Sequence, residues 1–340
     1  MIEQSKTRIE KWDNVKFFLI FLVVLGHIAD IYADVSFATG CLRFIIYTFH
    51  MPLFIYISGL FSKKNINEKR YLNIFSYLIL YLFIKIINYF AQWAANGAKP
   101  VFKLFYAASV PWYAFALFAF SMITILIKNI SPKYILILSV IIACIAGYDG
   151  SIRDFLCISR IIVFFPFFYL GYITDPEKIG RKLSYKKLIP FAILVFAIIT
   201  AVTIIFYDEI KDIKFLFTGR NPYSVFVKNC PYAFIFRLSC YAVSLLAGAS
   251  FIVLIPEKIG KSGKIAALGK RSVQIYSLHF ALKYLYFGFT NNRFGVEKLF
   301  VSKLLIYEFI IAVVITAICA LPFWEPFFKK LMHIPLKTDN

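Results

Sequence analysis

The sequence predicts an all-α polytopic integral membrane helix bundle of about ten transmembrane helices with both termini cytoplasmic. Three observations predict it. Of 340 residues, 61% are hydrophobic and the mean hydropathy is +0.74, well above the roughly 45–50% apolar content of soluble domains. The apolar residues, 39 phenylalanines among them, gather in runs near the length a helix needs to cross the hydrocarbon, about 20 residues. The charges collect in the short segments between those runs, and they alternate in abundance from one segment to the next.

Taken in order, the runs are 15–34, 41–62, 71–93, 107–127, 134–148, 158–174, 188–207, 230–255, 273–290 and 299–323. The first is too long for a signal-peptide core, which is roughly 7–15 residues, so it is expected to stay as a span. The fifth and sixth are short, and their boundaries are soft. Alternate connecting segments carry 23 Lys and Arg on one side and 9 on the other. The richer side should be cytoplasmic. The longest connection, 208–229, leaves no room for an appended domain. Residues 1–340 therefore read as a single membrane domain with short cytoplasmic tails at 1–14 and 324–340.

The net charge of +20 follows from this topology. It faces anionic lipid and gives no reason to expect nucleic acid. Six cysteines at 41, 144, 157, 230, 240 and 319 are scattered without a CxxC pair, so neither a metal site nor a disulfide framework is expected. P-loop, GxGxxG, HExxH and GxSxG motifs are absent, which removes support for ATP hydrolysis and zinc proteolysis.

The chemistry concentrates between Lys16 and Gly59. Ionisable groups at membrane depth are costly and usually face a protein interior or a wet cavity. His27 lies 12 residues from the inner end of the first span and His50 lies 12 from the inner end of the second. At about 1.5 Å per residue both sit roughly 18 Å from the cytoplasmic surface. A neutral imidazole there can take a proton from a hydroxyl. Asp30, one turn after His27, is placed to orient its ring, although an acid facing outer water would stand there too. Lys16 precedes His27 by 11 residues, about three turns, so both share a face with a rise of roughly 16 Å. A ligand stretched along that face would keep its phosphates near Lys16 and its reactive end near His27.

Arg43, Arg160 and Arg237 fall in outer halves of their spans, against the positive-inside trend, and suggest an outward-open cavity with a polar or anionic occupant. Snorkelling to headgroups is the plainer explanation. His279, six residues into the ninth span, is expected nearer the cytoplasm, on a cofactor or bonded to a neighbouring helix. His333 falls in the C-terminal tail and is expected to be inert.

At these residues the chain resembles the membrane-bound acyltransferase 3 family, and within it the bacterial sugar and capsule O-acetyltransferases of the fucose 4-O-acetylase-like kind. Asp13, Lys16 and His27 are similar to the family's opening motif, with Lys16 where an arginine is usual. Phe49-His50-Met51-Pro52-Leu53-Phe54-Ile55-Tyr56-Ile57-Ser58-Gly59 resembles the second-helix signature. Ser159-Arg160 with Phe165-Pro166-Phe167-Phe168 and Gly171 resembles a later block. Gly269 to His279 resembles the block near the ninth span. Only Lys69-Arg70 stands where many members carry an arginine-rich motif.

The resemblance implies an acyltransferase of a bacterial plasma membrane. It would move an acetyl group from cytoplasmic acetyl-CoA, a co-substrate, to a hydroxyl of an extracytoplasmic sugar or polysaccharide. His27, His50, Asp30 and Arg160 would be catalytic. Lys16, Lys69, Arg70 and His279 would hold the donor. The partners would be acetyl-CoA, the glycan acceptor and the lipid bilayer. A glycan transporter or flippase is the rival reading. Transporters often show internal repeats, and none is visible. A non-catalytic scaffold would leave the two histidines at one depth unexplained.

Overall fold

A computed structural model describes residues 10–107, 109–228, 230–259, 263–294 and 304–332. His333 and the rest of the tail lie outside the described residues. The described chain is helical, and its only bridge outside helices pairs Tyr106 with Phe155. The helices are α1 (Glu10–Tyr32), α2 (Phe37–Leu60), α3 (Lys63–Asn67), α4 (Tyr71–Asn96), α5 (Trp112–Ile127), α6 (Pro132–Ala146), α7 (Ile158–Ile173), α8 (Pro176–Lys182) and α9 (Ile189–Ile205). They continue as α10 (Tyr207–Ile210), α11 (Lys214–Phe217), α12 (Phe234–Leu254), α13 (Lys264–Lys270), α14 (Ser272–Phe294), α15 (Leu304–Cys319) and α16 (Glu325–Met332).

Each of the ten apolar runs holds one long helix: α1, α2, α4, α5, α6, α7, α9, α12, α14 and α15. Their local causes are visible. Ser36 caps α2 by accepting from the Thr39 amide, and Asp175 caps α8 by accepting from two amides, which satisfies donors that a helix start leaves open. Glu10 and Asp13 place negative charge in the first turn of α1, where the helix dipole favours it. Gly97 takes φ 70° to end α4, a conformation glycine adopts without steric cost.

Among the described residues, five helical segments are long and apolar enough to cross a membrane: Glu10–Tyr32, Phe37–Leu60, Tyr71–Asn96, Lys186–Ile205 and Phe234–Leu254. Seven result if α7 with α8, and α15 with Pro322–Met332, are each one bent span, with bends of 94° and 44°. The difference from ten has a physical reason. Helices α5, α6, α7 and α15 have 15 or 16 residues, roughly 23 Å at 1.5 Å per residue, against about 30 Å of hydrocarbon. Helix α14, with 23 residues, is long enough but carries Gln274, His279 and Lys283 and is less apolar.

At the centre stand α1 and α2, which run antiparallel. Around them pack α7, α12, α13, α14 and α15, while α4, α5, α6 and α9 lie further out. Burial follows this order. Sixteen of the 24 residues of α2 are buried, but only Ala192, Val195 and Thr203 in α9. The large side chains that α9 exposes are Ile189, Phe191, Ile193, Leu194, Ile198, Val202, Ile204 and Ile205, as a lipid-facing helix requires. Helices α2 and α7 cross at backbone contact. A Cβ on Gly59 would meet the Phe168 carbonyl oxygen at 2.0 Å, and one on Gly171 would meet the Tyr56 oxygen at 2.0 Å. Small residues give membrane helices this approach, which stands in for a hydrophobic drive between them.

The 208–229 connection is packed rather than loose. Leu216, Phe217 and Tyr223 join Phe44, Ala233 and Cys240 in a second, smaller apolar cluster. The buried Arg237 guanidinium is held there, donating to the Leu216 carbonyl at 2.6 Å and lying over the Tyr223 ring. All six cysteines are free thiols.

Candidate active site

The site forms where α1, α2, α7 and α14 converge. From α1 come His27 and Asp30, one turn apart, with the imidazole Nδ1 3.5 Å from the carboxylate. From α2 come Arg43, Tyr47 and His50, at a spacing that sets them on one helix face. The Tyr47 hydroxyl donates to Asp30 at 2.5 Å. Its ring packs edge-on to His50, 4.9 Å between centroids. Arg43 lies 3.8 Å from Asp30 and 3.7 Å from Asp34. Asp30 is thus shared by an imidazole, a phenol and a guanidinium.

Three histidines meet here, and their environments differ. His50 and His279 are buried, and each points Nδ1 at the carbonyl one turn back on its own helix, Ile46 at 2.8 Å and Ile275 at 3.0 Å. A carbonyl only accepts, so both carry the proton on Nδ1 and a lone pair on Nε2. The side chain of His27 keeps 25% of its surface open. Its Nδ1 faces a carboxylate, which fixes the tautomer that leaves Nε2 basic.

The expectation for His279 needs correction. It lies level with His27 in the bundle. The two rings stack, 5.5 Å between centroids and 20° between planes. The cause is the seating of α13 and α14. A Cβ on Gly269 would meet the Asp13 carbonyl oxygen at 1.8 Å, so α14 enters the bundle against α1 before its apolar run begins. His27 and His50 are close enough to interact electrostatically. The described link between them runs through Asp30 and Tyr47.

Arg160 is buried at the head of α7. It donates to the Ala107 carbonyl at 2.8 Å, lies 3.8 Å from Asp154 and stacks over Trp112 at 4.9 Å. Asp154 is buried between Arg160 and Arg220, with Arg220 at 2.5 Å. Trp112 and His27 line one small cavity, with Ile20, Val23, Met51, Phe54, Val110, Tyr113 and Tyr276. Lys283, one turn beyond His279, lies over the Phe280 ring and interacts electrostatically with Asp30.

At the other end of α1, Lys16 pairs with Asp13 at 2.7 Å and lies 5.3 Å over the Phe61 ring. Around it Lys11 reaches the Leu183 carbonyl and the Ser184 hydroxyl, and Asn14 reaches the carbonyls of Pro256 and Glu257. Lys69 takes φ 49° on the link after α3, and Arg70 pairs with Glu68 at 2.6 Å. Both stay exposed at the bundle end that carries Phe61.

Sequence reasoning missed Tyr47, Asp154 and the part of Lys283. Tyr47 had a signal, its three-residue spacing from His50. Asp154 had none, because it sits in an irregular stretch between helices.

The geometry describes a membrane helix bundle with one reachable base at its centre. The family model for the acyltransferase domain matches residues 9–325. The chain belongs to the acyltransferase 3 family and is a multi-pass membrane acyltransferase. No curated protein and no solved structure matches it.

Proposed function

We propose that the protein transfers an acetyl group from cytoplasmic acetyl-CoA to a hydroxyl of an extracytoplasmic sugar or polysaccharide, as a single membrane domain of a bacterial plasma membrane. The fucose 4-O-acetylase-like members of the family offer a functional parallel. The bundle end that carries Lys16, Lys69 and Arg70 would then face the cytoplasm and the donor phosphates.

One observation carries this reading. Of three clustered histidines, only His27 combines an open ring with a carboxylate on Nδ1, and it stands three turns above Lys16 on one face of α1. In the transfer, the acceptor oxygen attacks the thioester carbonyl carbon while His27 Nε2 takes the hydroxyl proton. The carbon–sulfur bond then breaks, and the proton passes from the imidazolium to the departing CoA thiolate. An O-acetyl ester and free CoA result. Asp30 holds the His27 tautomer, and Tyr47 holds Asp30. His50 and His279 support the cluster. Arg160 sits where a cation would draw the acceptor or the developing oxyanion.

The test is transfer of radiolabelled acetyl from acetyl-CoA, supplied at the cytoplasmic face of membrane vesicles, to surface polysaccharide. Label in the glycan with wild type, and none with His27→Ala at equal protein level, supports it. Glycan that crosses the membrane without gaining label supports the transporter instead.

A further inference from the structure

The small cavity beside His27 is open to a chemical reading of its own. Three of its lining residues lie on one stripe of α1. Ile20, Val23 and His27 continue the face that begins at Lys16. The cavity therefore lies below the imidazole on the side toward Lys16, in the path of a ligand extended from that lysine.

Its walls are fixed. Tyr276 donates to the Val110 carbonyl at 2.6 Å and accepts from the Ala114 amide at 3.2 Å. Tyr113 bonds the Ser58 hydroxyl at 2.5 Å, and Ser58 donates in turn to the Phe54 carbonyl. Phe54 and Tyr276 both pack on the Tyr113 ring, at 5.5 and 5.2 Å between centroids. Trp112 is clamped between Arg160 and Phe164. An aromatic whose polar end is bonded elsewhere does not swing aside at low cost.

The cavity is small, about 20 Å³, against the roughly 10–15 Å³ that a single water-sized group needs. A methyl group fits that space and a propyl chain does not. Resting on acyl transfer at His27 as proposed above, we infer that this cavity is the acyl pocket, that it restricts the donor to an acetyl thioester, and that Val23 and Phe54 set the restriction. The thioester carbonyl would stand beside the imidazole with its methyl group turned into the pocket.

The test uses full-length protein in lipid nanodiscs and calorimetric titration with CoA, acetyl-CoA and butyryl-CoA, so no acceptor is needed. The probed variants are Val23→Ala and Phe54→Leu, each checked for wild-type thermal unfolding. Wild type should bind acetyl-CoA at least about tenfold more tightly than butyryl-CoA, since butyryl carries two further methylenes and a single one in an apolar pocket discriminates by roughly 10–200-fold. At least one enlarged variant should bring the two within about threefold. Equal binding of acetyl- and butyryl-CoA by wild type overturns the inference and leaves acyl transfer standing. A preference that neither variant narrows overturns the assignment to Val23 and Phe54. Folded wild type that binds no CoA species overturns the proposed function along with it.

Discussion

The imidazoles of His27 and His279 stack at 5.5 Å, one from the first helix of the bundle and one from its C-terminal quarter. The contact joins residues 252 positions apart, and it sets the only open histidine among the described residues against a buried one whose Nε2 has no hydrogen-bond partner. Two imidazolium rings at that separation would repel, so the pair favours at most one charge.

This separates the two roles. His27→Gln should lower the acetyl-transfer rate by about 10²–10⁴-fold, the range for losing a general base. His279→Phe keeps a flat ring beside His27 and should cost clearly less, with unfolding temperature near wild type. Rate per folded molecule, measured for both variants, checks the ordering.

Asp30 should matter through orientation. Asp30→Asn leaves a group that can donate to Nδ1 and so favours the wrong tautomer, which should lower the rate by about 10²-fold. Tyr47→Phe removes one hydrogen bond to the same carboxylate and should have a smaller effect in the same direction. The double variant should lose less than the sum of the two, because both act on one carboxylate.

In the proposed reaction Lys16 would bind the donor and take no part in the chemistry. Lys16→Ala should raise KM for the CoA donor with kcat nearly unchanged, the signature of lost uniform binding. A change in kcat without one in KM would remove the donor-phosphate role.

The α2–α7 crossing should be a stability determinant. Gly59→Ala forces a methyl group into the Phe168 backbone, where neither partner can turn aside. The expected loss is about 2 kcal/mol, read as a lower unfolding temperature in detergent. Arg160→Met should also destabilise, by about 1–3 kcal/mol, because it removes the bond to the Ala107 carbonyl and one of two cations beside buried Asp154.

Much of this was legible in the sequence because it is local. Apolar runs gave the ten long helices, and the i,i+3 spacing of His27 and Asp30 gave their contact. The eleven-residue step from Lys16 to His27 gave the shared face. What escaped depends on how helices seat against one another. The apolar onset of α14 placed His279 too shallow, because nothing local reveals that Gly269 lies against Asp13. The fourth run, 107–127, read as a full span because the residues ahead of Trp112 extend it beyond α5. Asp154 could not be found at all, since it sits in an irregular stretch where no helical spacing ties it to Arg160, and Arg220 lies 66 residues away.

The most direct test of the central claim is the O-acetyl content of surface polysaccharide, measured by proton NMR. Cells would lack the gene, or carry wild type or His27→Ala at matched membrane levels. Acyl transfer at His27 predicts acetyl signals with wild type and none in the other two. Acetyl signals that persist unchanged when the gene is deleted, with glycan export altered instead, would contradict it.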